Sequence, residues 1–79
     1  MSLKSHYTLQ VSMHPDAGAR IPTVAAAESW RTVYDGPIAT PAEARAAVEK
    51  LAEFYTHARA FKGKELGKIF YSVLRGTRS

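Results

Sequence analysis

The sequence predicts a small single α+β domain over residues 1–79, in the order β-β-α-β, with one amphipathic helix packed on a three-stranded, largely antiparallel sheet. Three observations carry that prediction. Tyr7, Leu9, Val11 and Met13 alternate strictly with polar neighbours; Thr40-Pro41-Ala42-Glu43 is a helix-start signature; and Ile69-Phe70-Tyr71-Ser72-Val73-Leu74 is a compact run of β-forming residues. Length and composition are consistent with this. Seventy-nine residues suffice for one small core, and 46% hydrophobic with 23% charged residues exceeds the apolar content of a disordered chain.

The first strand is read over His6–Met13, where a period of two turns Tyr7, Leu9, Val11 and Met13 to one face and leaves the polar set to water. His14-Pro15-Asp16-Ala17-Gly18 then forms a turn, because proline, aspartate and glycine each favour non-repeating backbone. From Ala19 to Ser29 two readings stand: a short edge strand over Ile21–Val24, or a turn of helix opened by Pro22 and running through Ala25–Glu28. Trp30–Tyr34 reads as a second strand that stops at Asp35-Gly36-Pro37 and pairs antiparallel with the first.

At the helix start Thr40 is placed to accept a backbone N–H, Pro41 occupies the first helical position, and Glu43 completes a capping box. Apolar residues Ala44, Ala47, Val48, Leu51, Phe54, Tyr55 and Ala58 follow at spacings of three and four, so the helix is expected to run to about Phe61, with Gly63 as its stop. Leu66, Ile69, Phe70, Val73 and Leu74 also match a helical stripe, so residues 66–74 stand open between helix and strand. A short β-rich run after Gly67, in a chain whose two strands need a partner, favours a third strand over Ile69–Leu74. The expected core is Tyr7, Leu9, Val11, Leu51, Phe54 and Val73.

Several chemistries are excluded by the residues present. With no cysteine there is no disulfide, thiolate or Cys-based metal site, and no run approaches the ~18 apolar residues needed to cross a bilayer. The N-terminus has no apolar core of the signal-peptide kind, so a soluble, cytoplasmic protein with no membrane partner is expected. His6, His14 and His57 fall on separate elements without ligand spacing, no serine sits in a nucleophile signature, and the Glu49 and Glu53 pair beside Lys50 reads as a solvated helix face. Gly63-Lys64-Glu65-Leu66-Gly67-Lys68 has three residues between its glycines where a phosphate loop has four, and Ile69 stands where that loop needs Ser or Thr. No enzyme, cofactor or small-molecule substrate is expected.

His14-Pro15-Asp16 is also the tripeptide of J-domain co-chaperones, where it joins two antiparallel helices. Here an alternating strand precedes it, so it reads as a proline turn.

Charge placement is the one feature above background. Residues 57–79 hold Arg59, Lys62, Lys64, Lys68, Arg75 and Arg78 against Glu65 alone, so the formal charge of +4 comes wholly from this stretch. The expected function is that of a small non-enzymatic binding protein occupying a surface of a larger protein or nucleoprotein complex, with Arg59, Lys62, Lys64 and Lys68 as its binding residues. Size and composition suggest a phage or mobile-element accessory protein, or an inhibitor of a bacterial defence complex. The alternative is a basic DNA- or RNA-binding module in which Phe61, Phe70 and Tyr71 stack on bases beside these cations.

Overall fold

The computed structural model describes residues 4–63 and 68–75. They form a four-stranded antiparallel sheet and two helices in the order β1 (Ser5–Ser12), α1 (Val24–Glu28), β2 (Arg31–Ile38), α2 (Pro41–Leu51), β3 (His57–Lys62) and β4 (Ile69–Leu74). The spatial order is β2-β1-β3-β4. The α+β class and the antiparallel pairing of the first two strands match the sequence reading, but the sheet has a fourth strand and the chain a second helix.

The extra strand replaces the end of the expected helix. Helix α2 is capped by Thr40, whose hydroxyl accepts the Glu43 N–H at 3.1 Å, and Pro41 opens the first turn, but among the described residues the Glu43 carboxylate makes no return bond to complete the capping box. It stops at Leu51 rather than near Phe61. Its end loosens through i→i+3 bonds from Glu53 N–H to Lys50 and from Phe54 N–H to Leu51, and by His57 the backbone is extended. Gly63 is therefore not a helix stop. It ends β3 at a positive φ of 86°, and its N–H donates to the His6 carbonyl at 2.7 Å.

Of the two readings for residues 19–29, the helical one holds. Helix α1 is capped by Thr23, whose hydroxyl accepts the Ala26 N–H, and closes on Ser29. Strand β2 runs on through Asp35-Gly36-Pro37 instead of stopping there. As an outer strand it tolerates a proline, and the Tyr34 ring folds over Gly36 to donate its hydroxyl to the Pro37 carbonyl at 2.6 Å.

Helix α2 connects β2 to β3, which run parallel to one another with β1 between them, so it packs across all four strands. Beneath it Leu9, Val11, Ala58 and Ala60 close on Val48 and Ala52, with Leu51, Tyr71 and Val73 at the margin. The alanines matter here, because small side chains on β1's neighbour let the helix approach the sheet closely. Tyr7, Leu9 and Val11 are core residues as expected, whereas Leu51 and Val73 are half-buried. Phe54 is a correction: it lies past the helix end and is 70% exposed. Met13 is exposed as well, since β1 ends one residue before it.

The polar side of β1 does not face water either. Thr8, Gln10 and Ser12 are buried, because the segment between β1 and β2 folds back beneath the sheet on the side away from α2. His57 Nε2 contacts the Pro15 carbonyl at 3.3 Å, Ser12 and Ser29 share a hydrogen bond of 2.6 Å, and Trp30 stacks at a tilt over His57.

Candidate binding surface

Arg59 is the centre of that second face. The alternation of β3 turns His57, Arg59 and Phe61 away from α2, and Gln10 lies directly across from Arg59 on β1. Its guanidinium carbon is 3.9 Å from the centre of the Trp30 ring and 4.9 Å from that of Phe61, both within cation–π range. Nε donates to Gln10 Oε1 at 2.9 Å, and the Gln10 amide nitrogen donates in turn to the Thr32 hydroxyl at 3.2 Å. A guanidinium only donates, so it fixes which end of the Gln10 amide faces it. Burial pulls the Arg59 pKa below its ordinary value by disfavouring the cation, although a guanidinium still stays charged at neutral pH.

A cleft of about 300 Å³ opens beside this arginine, between the 17–27 segment and the outer strand β4. Ala17, Pro22 and Ala27 form one wall, Ile69 and Leu74 the other, with Trp30 and Arg59 at the base.

The four expected binding residues do not form one patch. Arg59 and Lys62 point to opposite faces of β3, because they are three residues apart on a strand. Lys62 and Lys68 do come together, flanking a groove of about 350 Å³ with Ile69 and Phe70. Lys64 lies outside the described residues. Arg75 follows β4 at the opposite end of the hairpin, since Leu74 pairs with His57. The aromatic residues expected to stack on bases are engaged within the fold. Phe61 is 4% exposed beside Arg59, Phe70 meets the Tyr7 ring edge-on at 5.3 Å, and the Tyr71 hydroxyl donates to Glu49 at 2.7 Å. That bond to a carboxylate stabilises the neutral phenol and raises the Tyr71 pKa.

A second apolar surface lies between α2 and the outer strand β2. Val33, Tyr34 and Phe54 are exposed there and, with Ala47 and Leu51, line a shallow cleft of about 330 Å³ beside Lys50. A further cleft, about 610 Å³, lies at the end of the sheet among Ser12, His14, Glu28 and Arg31. Its Ser12 and His14 are committed to the fold. The Ser12 hydroxyl accepts the His14 backbone N–H, and His14 Nδ1 accepts the Asp16 N–H, so the imidazole supports the proline turn rather than activating the serine. Among the described residues no group of three His, Asp or Glu is placed to hold a metal, and no helix is long and apolar enough to cross a membrane.

Trp30, Val33, Tyr34 and Phe54 are among the residues of these surfaces that the sequence does not single out for binding, and Gln10 reads there only as part of a solvent-facing strand side. The alternation of large and small side chains in His57-Ala58-Arg59-Ala60-Phe61-Lys62 would set Arg59 opposite the alanines on a strand, but it competes with the helical spacing of the same residues and points to neither Trp30 nor Gln10. No family model matches the chain, and no curated protein or solved structure matches it.

Proposed function

We propose that this protein is a non-enzymatic binding protein that acts by occupying a surface of a larger protein or nucleoprotein complex, the mode used by phage and mobile-element accessory proteins and by inhibitors of defence complexes. The observation that carries the reading is the apolar surface between α2 and β2. In so short a chain, three large apolar side chains, Val33, Tyr34 and Phe54, stand exposed around one cleft instead of entering the core. Contiguous apolar surface rimmed by charge is the usual mark of a protein interaction site. The surplus of positive charge favours an acidic partner and speeds its approach.

A nucleic-acid partner is supported by the pairing of Lys62 with Lys68. It is the weaker reading, because Phe61, Phe70 and Tyr71 are used internally and leave phosphate contacts without base stacking. Affinity capture from a lysate of the encoding organism separates the two. The expected result is a protein partner that survives nuclease treatment, is lost with Phe54→Asp, and persists when Lys62 and Lys68 are both changed to Glu. Recovery abolished by nuclease or by the double charge reversal, with Phe54→Asp harmless, would overturn the reading in favour of nucleic acid.

A further inference from the structure

We propose that the cleft beside Arg59 is a receptor for a carboxylate carried on an apolar stem, supplied by an acidic residue flanked by apolar ones on a partner protein. The inference rests on the reading of this chain as a protein-binding module and names the chemistry of one contact.

Arg59 is held in place before any ligand arrives. Trp30 and Phe61 fix the plane of the guanidinium, and the Gln10 amide, itself bonded to Thr32, takes the Nε hydrogen. What is left is the terminal Nη edge. Among the described residues no carboxylate lies within salt-bridge distance of Arg59, and its hydrogen bond to Gln10 is the one it makes. A half-buried cation without a counter-charge is costly, and a planar carboxylate that bonds two N–H groups at once is the partner whose shape fits a guanidinium fork.

The walls of the cleft choose between anions. Ala17, Pro22, Ala27, Ile69 and Leu74 give a carboxylate's apolar neighbours a surface to bury against, and among the described residues Arg59 is the one charged residue lining it. A phosphate dianion would meet a single cation between apolar walls that cannot solvate its remaining charge. A nucleobase would find the Trp30 ring already covered by the guanidinium. A volume of about 300 Å³, at the low end for ligand pockets, suits two or three side chains of an extended peptide.

The test is a titration of the full chain followed by NMR at the Arg59 Nε–H and the Trp30 indole N–H. The probes are the capped peptide acetyl-Leu-Asp-Leu-amide, its Asn counterpart, sodium acetate and inorganic phosphate. The expected result is a saturable shift of both signals with the Asp peptide, weaker by about tenfold or more for the Asn peptide and for either free ion. Arg59→Lys should weaken the Asp peptide similarly, because a lysine keeps the charge but loses the fork. Ala27→Asp, at an exposed position of α1, should block the peptide by placing a carboxylate in the cleft without touching the arginine. Equal binding of the Asn peptide, acetate or phosphate as strong as the Asp peptide, or no saturable shift would each overturn the proposal. Such a failure, with Phe54-dependent and nuclease-resistant capture intact, leaves the binding-protein reading standing. Peptide binding without that capture overturns the broader reading alone.

Discussion

The two faces of the central strands β1 and β3 are both largely covered and are held by different forces. Toward α2, β1 and β3 present Leu9, Val11, Ala58 and Ala60, and the contact is methyl against methyl. Toward the 13–30 segment the same strands present Thr8, Gln10, Ser12, His57 and Arg59. The first face gains from apolar area removed from water, which is non-directional and forgiving of small shifts. The second also buries Phe61 against Arg59, but its polar groups gain only where a donor meets an acceptor, so it is more directional. The bond to Gln10 together with the rings of Trp30 and Phe61 fixes the orientation of Arg59. Burial alone therefore does not identify the core, and the polar face is the one that can present a positioned charged group.

Truncations should separate the two faces. Leu9→Ala removes buried methyl groups beneath α2 and should cost about 2–5 kcal/mol, read as a lowered midpoint in urea. A cost under about 1 kcal/mol would show that α2 does not close tightly on β1. On the other face, Gln10→Ala takes the acceptor from Arg59 Nε and should cost about 1–3 kcal/mol, mostly as an unsatisfied donor rather than as lost packing. If Gln10→Ala and Gln10→Leu melt alike with the parent, the hydrogen-bonded layer adds nothing to stability.

The Tyr7 hydroxyl is buried without a hydrogen-bond partner among the described residues. Tyr7→Phe keeps the ring contact with Phe70 and removes that group, so it should raise stability by about 1 kcal/mol. A loss of stability in calorimetry would mean that the hydroxyl has found a partner. The smallest effect belongs outside both faces: Phe54→Ala should change stability by no more than about 0.5 kcal/mol, since the side chain is 70% exposed. A drop of the size seen for Leu9→Ala would return Phe54 to the core.

Local rules make β1 and the Thr40 cap legible in the sequence, because alternation with large apolar residues and a capping threonine before proline are signals that tertiary context seldom overrides. Strand β4 is legible only in part: its β-rich composition favours a strand, but Leu66, Ile69, Phe70, Val73 and Leu74 also fit a helical stripe, and it is the pairing with β3 that decides. Strand β3 was hidden by its own composition. Ala58 and Ala60 are strong helix formers, and Phe54, Tyr55, Ala58 and Phe61 happen to extend the three-and-four spacing of α2 with no Gly or Pro between. They are alanines because a helix lies directly over them, a tertiary cause that no local rule contains. The same limit applies to the candidate sites. Charge counting found Arg59, Lys62 and Lys68 but placed them together, since only the strand register shows that Arg59 and Lys62 face opposite ways. Trp30 has the local signature of a strand start, and its contact with Arg59 depends on the 13–30 segment folding beneath the sheet.

The most direct test of the account is whether Arg59 is fixed on the second face. In a spectrum of the arginine Nε–H groups, Arg59 should stand apart from the exposed Arg31 and Arg45, exchange more slowly with water, and move toward them when Trp30→Leu removes the indole beneath its guanidinium. An Arg59 signal that coincides with those of Arg31 and Arg45 in the parent protein, and does not move in the Trp30 variant, would contradict it.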